Sequence, residues 1–104
     1  MGRSNRQKPE RLADKLHAIR TGLKLTQEQM IERLNCKKVP LYPASISEYE
    51  KDKREPPLLV LLAYARVAGV PMEFLVDDEQ DLPDHLPLKP GNKWIMKHGR
   101  LMRE

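Results

Sequence analysis

Apolar residues recur at helical spacing along most of the chain. After Pro9, four of them follow at intervals of four, three and four residues, which predicts a first helix that ends near Gly22. They are Leu12, Leu16, Ile19 and Leu23. Thr26 predicts the start of a second helix, because its hydroxyl can cap a helix and Gln29, three residues later, completes a capping box. The apolar face of this helix is supplied by Met30, Ile31 and Leu34.

A break at residues 35–42 separates the second helix from a third. Pro43 suits the first turn of a helix, and the third helix is predicted to run from there to about Lys51. Ile46 and Tyr49 stand three residues apart, so both are expected to face the core.

Two more helices complete the predicted domain. The fourth is predicted over residues 57–68 and ends at Gly69, a residue type that commonly terminates helices. The residues expected to form its most apolar surface are Leu58, Leu61, Leu62 and Ala65. A short fifth helix follows through Phe74 and Leu75. Since no stretch before residue 82 alternates as a strand would, the pattern predicts an all-α body of five helices.

The chain divides into three segments. Residues 1–8 are predicted to form a basic N-terminal arm, residues 9–81 the helical domain, and residues 82–104 a proline-spaced linker with a basic C-terminal extension. The two apolar clusters of the extension fit a small hairpin, a short helix or an ordered arm. Trp94 is expected to pack on its own domain or on a second subunit; a disordered tail and insertion into a DNA groove are the alternatives.

Charge is distributed unevenly over the 104 residues. Nineteen Lys and Arg against 15 Asp and Glu give a net charge of +4. Residues 1–24 hold seven basic and two acidic residues, residues 25–84 seven basic and twelve acidic, and residues 85–104 five basic and one acidic. An acidic centre between basic flanks fits either solvated termini or arms that bind phosphates of a nucleic acid.

Several classes of protein are excluded by the composition. No apolar run approaches the roughly 20 residues of a membrane span. Cys36 is the only cysteine, so no internal disulfide is possible, and the three histidines lack metal-ligand spacing. Because no carboxylate pair, catalytic triad or phosphate-binding glycine loop occurs, we predict neither an enzyme nor a cofactor, and we expect a cytoplasmic protein.

Three short motifs follow one another between Ile19 and Leu75: LTQEQM at residues 25–30, ISEYE at residues 46–50 and KREP at residues 53–56. Their order resembles the helix-turn-helix domain of the Xre/Cro-like repressor family, in which they match the start of the second helix, the I-S-x-Y/W-E run and the basic loop ending in proline. Residues 58–75 match its fourth and fifth helices. The resemblance implies a lambda-repressor-like fold with the third helix in the major groove of DNA.

The function that this resemblance implies is sequence-specific binding of double-stranded DNA, as a homodimeric transcriptional repressor. It also implies an ion pair between Arg20 and Glu50 that links the first helix to the third. The residues expected to contact DNA are Gln27, Lys37, Lys38, Pro43, Ala44, Ser45, Ser47, Glu48, Lys51, Lys53 and Arg54. One alternative is an antitoxin-type autoregulator with a small protein partner; another is a protein-interaction module that no longer reads DNA.

Two features depart from the family pattern. Residues 35–40 lengthen the usual tight turn by about five residues, so Lys37 and Lys38 either contact phosphates or belong to a tolerated insertion. The exposed side of the third helix has no Arg, Asn or Gln, the residues that make the strongest contacts with bases. Glu48 is expected either to accept from cytosine or to face Lys51 or solvent.

Overall fold

The computed structural model describes residues 8–87, and it describes the backbone alone of residues 94–97 and 100–103. Residues 1–7 of the predicted basic arm lie outside the described residues, as does the side chain of Trp94. Among the described residues, no helix is long and apolar enough to cross a membrane.

Five helices form the body of the described chain, as the pattern predicted. They are α1 (Leu12–Gly22), α2 (Gln27–Leu34), α3 (Pro43–Glu50), α4 (Leu58–Ala68) and α5 (Glu73–Val76). Helix α3 packs against both α1 and α2, while α4 packs against α1, α2 and α5. The all-α, lambda-repressor-like fold class is therefore confirmed.

Local sequence signals account for several helix ends. Thr26 Oγ1 accepts a hydrogen bond from the Gln29 N–H at 3.1 Å, and Gln29 Oε1 accepts one from the Thr26 N–H at 2.9 Å. The predicted capping box of α2 is thus present. Gly69 ends α4 in the left-handed region with a φ of 75°, which a side chain would strain. Pro43 occupies the first turn of α3.

All five helices contribute buried side chains to the core. Ile19, Ile46 and Tyr64 are fully buried there. The prediction for α4 was wrong at two of its four residues: Leu58 is 70% exposed and Leu62 is half-buried, and both lie outside the buried stripe of the helix. It consists of Val60, Leu61, Tyr64, Ala65 and Ala68. Because almost every residue of α4 is apolar, periodicity could not say which side faces inward.

Lys15 is a buried cation that the pattern did not predict. Its side chain is on the inner side of α1, and the residue is 3% exposed. The ammonium donates hydrogen bonds to the carbonyl oxygens of Phe74 at 2.8 Å and Asp77 at 2.9 Å. Burial lowers the pKa of Lys15. Lys15 thereby ties α1 to the end of α5.

The acidic run after α5 holds the beginning of α1. Asp78 accepts hydrogen bonds from the backbone N–H groups of Glu10 and Arg11 at 2.9 and 3.0 Å, and these bonds lower the pKa of its carboxyl group. Farther along, Leu82 and Leu86 pack partly buried against the core. The segment after residue 81, predicted as a linker, therefore stays in contact with the helical body as far as Leu86.

The C-terminal extension contains a β-hairpin, one of the three conformations that its sequence allowed. Strand β1 (Trp94–Lys97) pairs antiparallel with β2 (Arg100–Arg103). The register places Trp94 opposite Arg103 and Met96 opposite Leu101.

Candidate nucleic-acid interface

Helix α3 presents one side to the core and the other outward. Ile46 and Tyr49 are 0% and 3% exposed, and burial raises the pKa of the Tyr49 hydroxyl. On the opposite side the helix shows four of the residues predicted to contact DNA: Pro43 and Ala44 are exposed, and Ser47 and Glu48 are half-buried. The two anchors thus fix which side of α3 faces outward.

Ser45 does not belong to that outward side, which corrects its place among the predicted DNA contacts. The residue is 7% exposed. Its hydroxyl accepts a hydrogen bond from the backbone N–H of Tyr42 at 3.2 Å. A serine three residues after the N-cap is the position from which a side chain can reach back to the cap, and that spacing was the signal for this role.

The structure brings Arg20 and Glu50 together as a two-point ion pair. Arg20 Nε donates to Glu50 Oε2 at 2.7 Å and Arg20 Nη2 donates to Glu50 Oε1 at 3.0 Å. The two side chains are 16% and 6% exposed. A further hydrogen bond joins the guanidinium to the Leu25 carbonyl at 2.9 Å. The guanidinium therefore joins α1, the turn before α2 and the end of α3.

His17 is a third member of this cluster that sequence reasoning did not identify. Its Nδ1 lies 3.0 Å from Glu50 Oε1. Burial alone would raise the pKa of Glu50, but the hydrogen bonds from Arg20 and His17 outweigh it and hold that pKa below its ordinary value. The available signal was spacing, because His17 and Arg20 are three residues apart on one side of α1.

Gln27, Ser47 and Lys51 come together in one polar depression of about 380 Å³, which is also lined by Asp14, His17, Arg20 and Glu50. Gln27 is the first residue of α2, Ser47 lies on the outward side of α3 and Lys51 follows the end of α3. The N-terminus of α2 is the positive end of its helix dipole, and it carries free N–H groups. The depression therefore joins an anion-attracting helix end to the outward side of α3.

The basic loop after α3 closes back on that helix. The backbone N–H of Lys53 donates to the Glu48 carbonyl at 2.9 Å. Arg54 Nε lies 3.6 Å from Glu48 Oε1, and the two side chains are 61% and 44% exposed. Glu48 thus lies beside Arg54, whereas the sequence predicted that it would either accept from cytosine or face Lys51 or solvent. Lys51, Lys53 and Arg54 are exposed along this edge.

Lys37 and Lys38 lie on a different part of the surface. Both are exposed, and they line a groove with the outer side of α4 instead of the depression that holds Gln27. The predicted DNA contacts therefore fall into two groups, one around α3 with its loop and one at the lengthened turn.

Comparison with known proteins agrees with this arrangement. A family model described as helix-turn-helix matches residues 16–75, from within α1 into α5. No curated protein and no solved structure matches the chain. The match covers more than half of the chain and contains α2, α3 and the basic loop complete. The chain therefore belongs to the Xre/Cro-like helix-turn-helix family and carries a DNA-binding regulatory domain of that type.

Proposed function

We propose that the protein is a sequence-specific transcriptional repressor that binds double-stranded DNA as a homodimer. The observation that carries this proposal is the fixed orientation of α3. Ile46 and Tyr49 hold the helix from inside, and the Arg20–Glu50 pair holds its last residue. A helix held in this way can place its outward side in the major groove, which is wide enough to admit it.

The neighbouring residues supply contacts to the DNA backbone in this arrangement. The N-terminus of α2 and the Gln27 amide would face one phosphate. Lys51, Lys53 and Arg54 would follow the backbone on the other side of α3. Lys37 and Lys38 remain candidates for phosphate contacts, because both are exposed in the loop that leads into α3.

Base recognition by the outward side of α3 would be modest. Ser47 can bond with several bases, Glu48 can accept from cytosine N4, and Pro43 with Ala44 can contact thymine methyl groups. In the free protein the Glu48 carboxylate lies beside Arg54, so DNA has to compete with that contact. We therefore propose that DNA shape contributes much of the specificity and that the two basic flanks contribute much of the affinity.

Dimerisation and cytoplasmic location complete the proposal. Two copies would bind half-sites about one helical turn apart, as dimeric helix-turn-helix proteins do. Helix α5, the segment after it or the hairpin could provide the contacts between subunits. Repression would then follow from occupancy of the operator.

A protein-interaction module on the same fold is the second candidate. It is favoured by the composition of the outward side of α3, which has no Arg, Asn or Gln. The two candidates differ in the role of the basic loop that holds Lys53 and Arg54. A DNA-binding protein requires that loop for contacts to phosphates, whereas an interaction module does not require it.

Selection of bound sequences from a random duplex library tests the proposal directly. We expect an enriched motif of two related half-sites. Affinity for that motif, measured by fluorescence anisotropy, should fall steeply with salt. Lys53→Glu/Arg54→Glu should lower it at least tenfold and reduce the salt slope by about 2, because each phosphate contact contributes roughly 0.9 to that slope.

Arg33→Glu/Arg66→Glu is the matched comparison, because it changes the charge equally on the exposed surface beside Lys37 and Lys38 and leaves the basic loop unchanged. It should lower the affinity less than the loop variant does. Absence of any enriched motif, or equal binding by both double variants, would contradict the proposal and favour the interaction module.

A further inference from the structure

Helix α4 has a second apolar side that the core covers only in part. Arg66 is its one charged residue. Beside the buried stripe, the helix carries four apolar residues at positions i, i+3, i+4 and i+8: Leu59, Leu62, Ala63 and Val67. Leu59 is 46% exposed and the other three are half-buried. A helix on a protein surface normally turns a polar side to solvent, so this side of α4 is unusual.

The lengthened turn makes this apolar side into a groove. Residues 35–38 and the end of α2 form one wall, and the outer side of α4 forms the other. The groove has a volume of about 390 Å³. That volume lies in the range of roughly 300–1,000 Å³ that binding clefts have. A tight turn of the usual family length would lack the residues that build this wall.

Positive charge surrounds the groove. Four of the residues that line the groove are basic, and no lining residue is acidic. The basic residues are Arg33, Lys37, Lys38 and Arg66. All four are exposed. An occupant that is both apolar and negatively charged would match the floor and the rim together.

We propose that this groove binds an acidic, amphipathic peptide segment of a partner protein. Apolar side chains of the segment would pack on Leu59, Leu62 and Val67, and its carboxylates would bind the surrounding cations. A DNA phosphate would use the cations but has no need of the apolar floor. The C-terminal extension of this chain is a poor occupant, because residues 85–104 hold five basic residues and one acidic residue.

Occupancy of the groove would also affect the proposed function. In the proposed function Lys37 and Lys38 are candidates for contacts to DNA phosphates. An acidic segment bound in the groove would therefore compete with DNA for these two lysines. Binding of a peptide in the groove does not require this competition, and peptide affinity is measured in the absence of DNA.

Selection from a display library of random 12-residue peptides against the full chain tests the inference. We expect the enriched peptides to carry at least two Asp or Glu and at least two large apolar residues. The strongest peptide, labelled and measured by fluorescence anisotropy, should bind at least tenfold more weakly to Leu59→Ser/Arg66→Glu. Binding should also weaken between 50 and 300 mM salt, since exposed charges are screened.

Two controls make the result specific to the groove. Leu58→Ser changes the adjacent leucine, which is 70% exposed and does not line the groove. Lys53→Glu/Arg54→Glu changes charge elsewhere. Both should retain the peptide affinity within about twofold, and circular dichroism would show that all variants are folded.

Three outcomes would overturn the inference. The first is that no peptides are enriched, or that the enriched peptides are neutral or basic. The second is a tenfold loss of DNA affinity in Leu59→Ser/Arg66→Glu with unchanged peptide binding, which would assign the surface to DNA. The third is self-association that this variant abolishes and Leu58→Ser retains in sedimentation velocity, which would mean that a second copy covers the groove.

Discussion

Replacing Arg20 with methionine should destabilise the domain far more than replacing an exposed arginine. The substitution keeps most of the aliphatic side chain and removes the guanidinium that contacts Glu50 at two points, 2.7 and 3.0 Å. Glu50, at 6% exposure, would then be left with the His17 contact alone. The Leu25 carbonyl would lose its guanidinium donor as well.

The expected magnitude follows from this burial. Removing one partner of a buried ion pair costs about 3–5 kcal/mol, because the remaining charge stays in a poorly solvated place. His17 partly compensates, so we expect about 3 kcal/mol for Arg20→Met. For a domain of this size that corresponds to a decrease in Tm of about 12–24 °C. Arg20→Met/Glu50→Leu should recover more than half of the loss, since no unpaired charge remains.

Urea unfolding followed by circular dichroism at pH 7 measures these differences. Arg33→Met serves as the control, because Arg33 is an exposed arginine in the last turn of α2. Its cost should not exceed about 0.5 kcal/mol. If Arg20→Met and Arg33→Met lose the same free energy of unfolding, the ion pair has no structural role. A double variant no more stable than Arg20→Met would instead show that the lost guanidinium contacts, and not the unpaired carboxylate, carry the cost.

Three further predictions concern pH, a buried cation and a helix cap. Because the pKa of folded Glu50 lies below its ordinary value of 4.5, its stabilising effect is present above that pH and is lost as the pH falls through the folded pKa. Urea unfolding between pH 6 and 3 should therefore show a weaker pH dependence for Glu50→Gln, and parallel curves would contradict this. Lys15→Met should cost about 2 kcal/mol in the same assay, because two carbonyl groups lose their donor; an unchanged stability would show that the ammonium is dispensable. Thr26→Ala should cost about 1 kcal/mol, whereas Thr21→Ala, whose hydroxyl bonds within α1, should cost less than half of that. Equal losses for the two threonines would mean that the capping box adds no stability.

Helix ends were the most predictable part of the fold, because their signals are local. Thr26 with Gln29, Pro43 and Gly69 each act on the backbone within a few residues, so sequence alone located the ends that they form. The inward side of α3 was predictable too, since Ile46 and Tyr49 are its large apolar residues. The inward side of α4 was not predictable, because the helix carries apolar residues on nearly every side.

Part of the candidate site could be predicted from order and spacing, and part could not. Residues 46–50 and 53–56 pointed to α3 and its basic loop. The separation of Lys37 and Lys38 from the depression at Gln27 depends on the path of a lengthened turn. No local pattern encodes that path, since a surface loop of this kind can take many conformations at little cost in free energy.

The sequence by itself determined five helices, the helix ends at Thr26, Pro43 and Gly69, and the family to which the chain belongs. Only the tertiary structure decided which side chains meet across helices. In the folded chain His17 contacts Glu50, and the buried Lys15 ammonium donates to two backbone carbonyl groups. Leu58 is exposed to solvent, whereas Leu59 lines a groove. The physical reason is range: helix formation and capping act over three or four residues, whereas burial and ion pairing depend on packing between helices that are distant in sequence.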